Sequence, residues 1–234
     1  MKIYYTYLGL TDYDPVWKLQ RQINEYKQSH KSEDIILLTQ HNHVYTLGKS
    51  GDRDHLLINS DKLQKEKISY HEIDRGGDLT YHGPGQLVCY PILDLKNFYL
   101  DSHKYLRDLE EVIIRMLKSY GIDSQRDEGF TGVWVGEEKI CAIGIKITRW
   151  ITMHGLALNV NNDLQYFDNI IPCGIFHKGV TGIKKILGRE IGFEDLISNV
   201  VRSFGEVFNA EMVPCEEEQL NSLFNAEKSK VSNQ

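Results

Sequence analysis

The sequence contains no run of about 20 apolar residues, so no helical membrane span is expected. It has no basic excess either. Its 27 Lys and Arg stand against 33 Asp and Glu, a net charge of −6, which argues against a dedicated nucleic-acid binder. The N-terminus, Met1-Lys2-Ile3-Tyr4-Tyr5-Thr6-Tyr7, alternates like a strand. It lacks both the basic start with apolar stretch of a signal peptide and the Arg-rich character of a transit peptide, so a cytoplasmic setting is expected. Cysteines are few: Cys89, Cys141, Cys173 and Cys215. No C-x-x-C spacing occurs, so neither a zinc cluster nor a redox pair is expected. Without a secretory signal the four read as free thiols, buried as small hydrophobes by default. Repeats and low-complexity linkers are absent.

What is present fits a globular chain: 234 residues, 41% hydrophobic and 26% charged. One domain over 1–226 is expected, with 227–234 as a frayed tail. Asp14-Pro15 suits a helix start, and Val16, Leu19, Ile23 and Tyr26 then recur at helical spacing over about 15–30. Leu106, Leu109, Ile113, Met116, Leu117 and Tyr120 form a second stripe over about 102–120, ended by Gly121. Leu196, Val200, Phe204 and Phe208 form a third over about 193–209, and a short fourth helix follows Pro214. Strand-like runs fill the gaps at Ile3–Leu8, Ile35–Thr39, Val44–Gly48, Ile68–Ile73, Leu87–Leu93, Gly132–Val135, Ile140–Thr148 and Gly155–Val160. Helices and strands do not alternate regularly, which predicts an α+β fold: a mixed or antiparallel sheet with helices laid on it. Val133 to Ile140 reads as a hairpin turning at Gly136-Glu137-Glu138, with Lys139 opening the returning strand.

Three segments carry chemistry. Arg75-Gly76-Gly77-Asp78-Leu79-Thr80-Tyr81-His82-Gly83-Pro84-Gly85-Gln86 interleaves glycines with hydrogen-bond donors, which suits close approach to a ligand or a plain tight turn. It is not a phosphate-binding Walker loop, because no Gly-Lys-Ser/Thr ends it, nor a dinucleotide fingerprint, because a strand follows. From Lys139 to Asn159, Ala142 and Gly144 alternate with Ile143, Ile145 and Ile147. The small residues leave space on one sheet face, for an extended apolar ligand or for a packed helix. In Ile170-Ile171-Pro172-Cys173-Gly174-Ile175 the cysteine sits on a constrained turn, able to present its thiol.

Taken together, RGGDLTYHGPGQ, KICAIG, TMHGLALN and PCG, with the His43-Val44-Tyr45-Thr46-Leu47-Gly48 segment, resemble the lipoyl(octanoyl) transferase family over about residues 35–190. The resemblance implies the fold of the biotin and lipoate ligase catalytic domains. It implies transfer of an octanoyl group from acyl carrier protein to a lysine of lipoyl domains, those of 2-oxoacid dehydrogenases and of the glycine cleavage H protein. No cofactor, metal, nucleic acid or membrane is implied. By position, Cys173 is the nucleophile and Lys139 its partner. Substrate binding falls on Arg75, Gly76, Gly77, Asp78, Leu79, Thr80, Tyr81, His82, Ala142, Ile143, Gly144, Gly155, Leu156 and Ala157. Cys141 stands where the family has alanine, and is expected to narrow the pocket slightly.

A thiolate suits acyl transfer because it splits one three-body encounter into two steps through a thioester. An ammonium near Cys173 would favour the thiolate. His82 and His154 are alternative proton shuttles or, more simply, hydrogen-bonded pocket walls. The Cys173 amide and one from Gly76 or Gly77 could hold the oxyanion. An ATP-dependent lipoate-protein ligase is the rival reading, but its His-Asp-x-Gly-Asn continuation is replaced here by His-Gly-Pro-Gly-Gln, and it leaves Cys173 without a task. A carrier-binding module with an inert thiol and a cysteine peptidase are weaker alternatives. From Lys139 to Arg189, seven basic residues face only Asp163 and Asp168, so this stretch is +5 and the remainder −11. A basic face steering an acidic carrier is one reading of that split, and scattered surface charge is the other.

Overall fold

Every long helix carries one apolar stripe, and each stripe finds a face of the same sheet. The computed structural model describes residues 1–171 and 179–225. The strands are β1 (Lys2–Thr11), β2 (Asp34–His41), β3 (Val44–Leu47), β4 (Ser69–Glu72), β5 (Leu79–His82), β6 (Gln86–Ile92), β7 (Val133–Val135), β8 (Glu138–Thr148), β9 (Ile151–Asn159), β10 (Gly179–Val180) and β11 (Glu211–Pro214). The helices are α1 (Tyr13–Ser29), α2 (Ser60–Lys65), α3 (Ser102–Lys118), α4 (Ile183–Leu187), α5 (Phe193–Phe208) and α6 (Glu217–Asn225).

The main sheet runs β10-β8-β9-β6-β2-β1-β11, with β7 paired to β8, and β4-β3-β5 form a second small sheet. β2, β6, β9 and β8 are mutually antiparallel neighbours, while β1 lies parallel to both β2 and β11. The expected α+β architecture with a mixed sheet is what forms. β1, α1 and β2 nevertheless make a strand–helix–strand crossover, which the irregular element order had not suggested.

α3 and α5 cover one face. Leu109, Ile113, Met116 and Leu117 meet Leu196, Val200 and Phe204 over Ile36, Leu38, Leu87, Cys89, Cys141 and Leu158. On the other face, Val16 and Ile23 of α1 and Leu220 and Phe224 of α6 pack against Ile35, Leu37, Val88, Tyr90 and Ala157. The period-2 alternation of β6 therefore sorts Leu87 and Cys89 to one core and Val88 and Tyr90 to the other. Asp101 caps α3 by accepting from the His103 and Lys104 amides, both at 2.9 Å. Past its end Gly121 takes φ +73°, as expected.

Some boundaries differ from expectation. α1 begins at Tyr13, because Pro15 is accommodated within a first helical turn, where its missing N–H costs nothing. β5 forms inside the glycine-rich segment, pairing with β3. The final helix follows Pro214 as expected, but β11 before it was not expected. Its edge pairing with β1, rather than local propensity, makes it a strand.

Candidate active site

The pocket of interest, of about 350 Å³, opens over the β8–β9 hairpin. Of the residues expected there, Arg75, Gly76, Gly77, Asp78, Leu79, Thr80, His82, Lys139, Ala142, Ile143, Gly144, His154, Gly155, Leu156 and Ala157 all line it. β8 and β9 pair Ala142 with Ala157 and Gly144 with Gly155, so the small residues form a continuous shallow floor. Gly144 is required by close approach: a Cβ there would lie 3.0 Å from both Arg75 Cδ and the Gly76 carbonyl oxygen.

Lys139 reaches this face through an irregularity. In an unbroken strand it would share a side with Cys141, facing α3. The pairing with β7 shifts: Trp134 stands opposite Lys139, but the adjacent Val133 stands opposite Cys141. This β-bulge supplies one extra residue and turns Lys139 onto the Ala142 side. The Lys139 ammonium lies 4.7 Å from the centre of the Trp134 ring, a cation–π distance. The same bulge corrects the expectation for Cys141. Its thiol is fully buried in the α3 core rather than in the pocket, and burial pushes it far up, away from the thiolate.

Tyr81 is a second correction. Alternation along β5 sends Thr80 and His82 to the pocket but Tyr81 away from it, into the small-sheet core beside Tyr45 and Phe167. There its ring stacks on Tyr166 and its hydroxyl lies 2.7 Å from His43 Nδ1. Cys173, with residues 172–178, lies outside the described residues.

The glycine-rich loop is tied down from several sides. Arg75 Nη2 donates to the Thr46 carbonyl at 2.7 Å and to Thr46 Oγ1 at 3.0 Å. Asp78 accepts from His55 Nδ1 at 2.5 Å and from the Asp52 amide at 3.2 Å. The Gly76 amide donates to the Ile145 carbonyl at 2.9 Å, so that N–H is already occupied. Asp74 bridges His154 Nε2 at 2.9 Å and Lys146 Nζ at 2.5 Å. The His154 hydrogen bond, reinforced by Lys146, holds the Asp74 carboxyl well below the usual range.

His154 sits in β9 with φ +60°, uncommon for a non-glycine residue, and its amide donates to the buried Gln20 Oε1 at 3.0 Å. Burial pushes its pKa down, against the pull of Asp74. His82 is buried as well, and burial lowers it to about 3. The Gln86 amide donates through Nε2 to Asn159 Oδ1 at 3.0 Å, leaving Oε1 to accept from His82 Nδ1 at 2.8 Å. Both histidines are thus neutral at pH 7 and hydrogen-bonded in the wall.

Several lining residues had no signal in the motifs: Tyr13, Val88, Tyr90, Leu106, Gly129, Phe130 and Thr131. Tyr90 and Val88 share the inward alternation of β6, which a strand pattern alone could have flagged. Tyr13 comes from the start of α1 and stacks parallel to His82, with ring centres 6.2 Å apart.

Three of the seven basic residues of 139–189 are paired with carboxylates. Lys146 pairs with Asp74, Lys184 with Glu190 at 2.8 Å, and Lys185 with Glu138 at 2.7 Å. All three acidic partners lie outside that stretch of sequence. Among the described residues no group of three or more His, Cys, Asp or Glu is placed to hold a metal ion. No helix among them is long and apolar enough to cross a membrane.

Small-residue strands face the glycine-rich loop across this pocket. Residues 12–205 match the lipoyl protein ligase A/B catalytic domain, and the chain belongs to that family. The fold is shared with the bipartite lipoate protein ligase of Thermoplasma acidophilum, at 17% identity and a TM-score of 0.75, covering 98% of this chain and 93% of that one. Biotin protein ligase of Aquifex aeolicus follows at 14% and 0.52, covering 99% and 77%. Within the family the chain groups with the octanoyltransferases: that of Flavobacterium johnsoniae is 49% identical, over 88% of this chain and 96% of its own length.

Proposed function

We propose that this octanoyltransferase works through Cys173 and Lys139, taking octanoyl from an acyl carrier protein and giving it to a lysine of lipoyl domains. The catalytic unit is residues 1–226. The Cys173 thiolate attacks the carrier thioester carbonyl. The carrier's C–S bond breaks, and its sulfur leaves to take up a proton. The acceptor amine then attacks the Cys173 thioester, a C–N bond forms, the C–S bond breaks and the amine gives up a proton. The Lys139 ammonium first favours the thiolate and gives its proton to the departing carrier sulfur; the neutral amine left behind then takes up the proton from the acceptor amine. His82 and His154, neutral and engaged, serve as walls rather than shuttles. With the Gly76 amide spent on Ile145, the amides of Gly77 and Cys173 are the oxyanion donors.

The observation that carries this reading is Lys139 lining a cavity of about 350 Å³ floored by Ala142, Gly144, Gly155 and Ala157. That size falls within the roughly 300–1,000 Å³ of small-molecule sites. An eight-carbon chain laid along it gains about 5 kcal/mol before costs, at ~0.8 kcal/mol per buried methylene. The acceptor class is supported by the Thermoplasma ligase, whose structure was described together with its E2 lipoyl domain. The adenylating alternative is supported only by folds at 17% identity or below, against 49% for an octanoyltransferase.

The test is intact-mass measurement after mixing with octanoyl carrier protein. Wild type and Cys141→Ala should gain one hydroxylamine-labile octanoyl group, and Cys173→Ser should not. A labile adduct on Cys173→Ser, or none on wild type, would refute the assignment. ATP–pyrophosphate exchange with octanoate would favour the ligase.

A further inference from the structure

We infer that Glu110 is a positioning residue for Lys139, acting through the backbone of Gly132. α3 is otherwise apolar on its inner face, yet Glu110 is buried there completely. A buried carboxylate is costly and calls for a compensating purpose. Its Oε2 takes Arg107 Nη1 at 2.8 Å and Arg126 Nε at 3.2 Å, from guanidinium side chains that are 51% and 37% exposed. Its Oε1 points the other way, accepting from the Gly132 amide at 3.1 Å.

Gly132 is where the lysine stem rests. It has φ +128°, and a Cβ added there would lie 3.4 Å from Lys139 Cε and 3.5 Å from Cδ. The same Cβ would come within 2.6 Å of the Cys141 carbonyl oxygen, inside the bulge that turns Lys139 toward the pocket. Just before Gly132, residues Gly129, Phe130 and Thr131 line the pocket. Just after it, Trp134 supplies the ring under the ammonium and donates from Nε1 to the Phe130 carbonyl at 3.3 Å. One carboxylate oxygen therefore ties this wall, and the surface against which Lys139 lies, to the rigid α3. A charge-assisted bond to a backbone N–H is the strong kind, and catalytic groups held on packed elements keep their geometry better than those on loops. Glu110 does not touch the pocket. It acts on the reaction only by fixing where the ammonium stands.

The inference rests on the proposed role of Lys139. It separates side-chain length from charge. Glu110→Gln keeps the length and the acceptor oxygen for Gly132 but loses the charge. Glu110→Asp keeps the charge for Arg107 and Arg126 but withdraws from Gly132. Steady-state octanoyl transfer to a lipoyl domain is measured for both, in wild type and in a Lys139→Ala background. Glu110→Gln should stay within about threefold of wild type, and Glu110→Asp should lose about tenfold or more in kcat with little change in KM, as misplacement of a reacting group does. Both effects should vanish in the Lys139→Ala background. Where that background turns over too slowly to read, the order of the two single variants decides. Glu110→Asp matching or exceeding Glu110→Gln overturns the inference. So does an equal cost in both backgrounds, or a Glu110→Asp chain that no longer folds, since Glu110 would then be structural. A wild type that forms no octanoyl adduct overturns both this and the proposed function. An adduct, with activity sensitive to Lys139 but not to Glu110, overturns this alone.

Discussion

Acidification from pH 7 to pH 5 should cost the folded chain about 4 kcal/mol, a cost traceable to two buried histidines. Burial lowers His41 to about 4 and His82 to about 3. Both are neutral at pH 7 in the folded and the unfolded chain alike. At pH 5 an unfolded histidine, with its ordinary pKa of 6.5, is almost fully protonated, while both folded side chains remain almost neutral. The unfolded state thus binds more protons, and stability falls as pH falls through 6.5. Each histidine contributes ~1.4 pH units of differential protonation over that interval, or about 2 kcal/mol at 1.36 kcal/mol per unit. Burial is the cause in both, and the hydrogen-bond partners offset it only in part. His82 Nδ1 donates to Gln86, and His41 Nε2 lies 2.8 Å from the Tyr90 hydroxyl. Urea unfolding at pH 7, 6 and 5 reads the effect, with His41→Gln and His82→Gln each removing about 2 kcal/mol of the loss. A stability that holds steady or rises on acidification, or a double variant with the wild-type slope, would refute the reasoning.

Three further outcomes are expected. Lys139→Ala should lose most of the octanoyl transfer at neutral pH with an unchanged circular dichroism spectrum; near-normal turnover would contradict its pairing with Cys173. Ala142→Leu should fill the pocket floor, suppressing octanoyl loading of Cys173 more than acetyl loading in a mass assay with short and long thioesters; equal loss on both would place the chain elsewhere. Asp74→Ala leaves the buried His154 Nε2–H without its acceptor and should cost about 1–3 kcal/mol in urea unfolding, whereas a cost near zero would mean that the Asp74 bridge contributes little.

Much of the fold was legible because it rests on local pattern. The stripes of α1, α3 and α5 are one-sided at period 3.6, and each lands on a sheet face. The glycine-rich loop and the small residues of β8 announce a close backbone approach, since only small residues tolerate it. Ala142, Gly144, Gly155 and Ala157 do meet as one floor. β5 and β11 were not legible, because both are short edge strands made by their partners β3 and β1.

That cysteines are few followed from sequence, as did the free thiols of Cys89, Cys141 and Cys215, but which of them is unreactive did not. Cys89 and Cys141 are fully buried, and burial raises both. The sequence by itself determined which residue types gather: arginine, glycines and histidine on one loop, and alternating small residues on one hairpin. Strand parity is a counting rule, and one extra residue between Val133 and Trp134's partners reverses it. Only the tertiary structure could therefore decide that Lys139 faces the pocket, that Cys141 and Tyr81 face away, and that a glutamate buried on α3 stands behind the lysine. The same holds for charge. The +5 of residues 139–189 is a sum along the chain, whereas Asp74, remote in sequence, and Glu138 and Glu190, which flank the stretch, pair with three of its lysines and offset part of it.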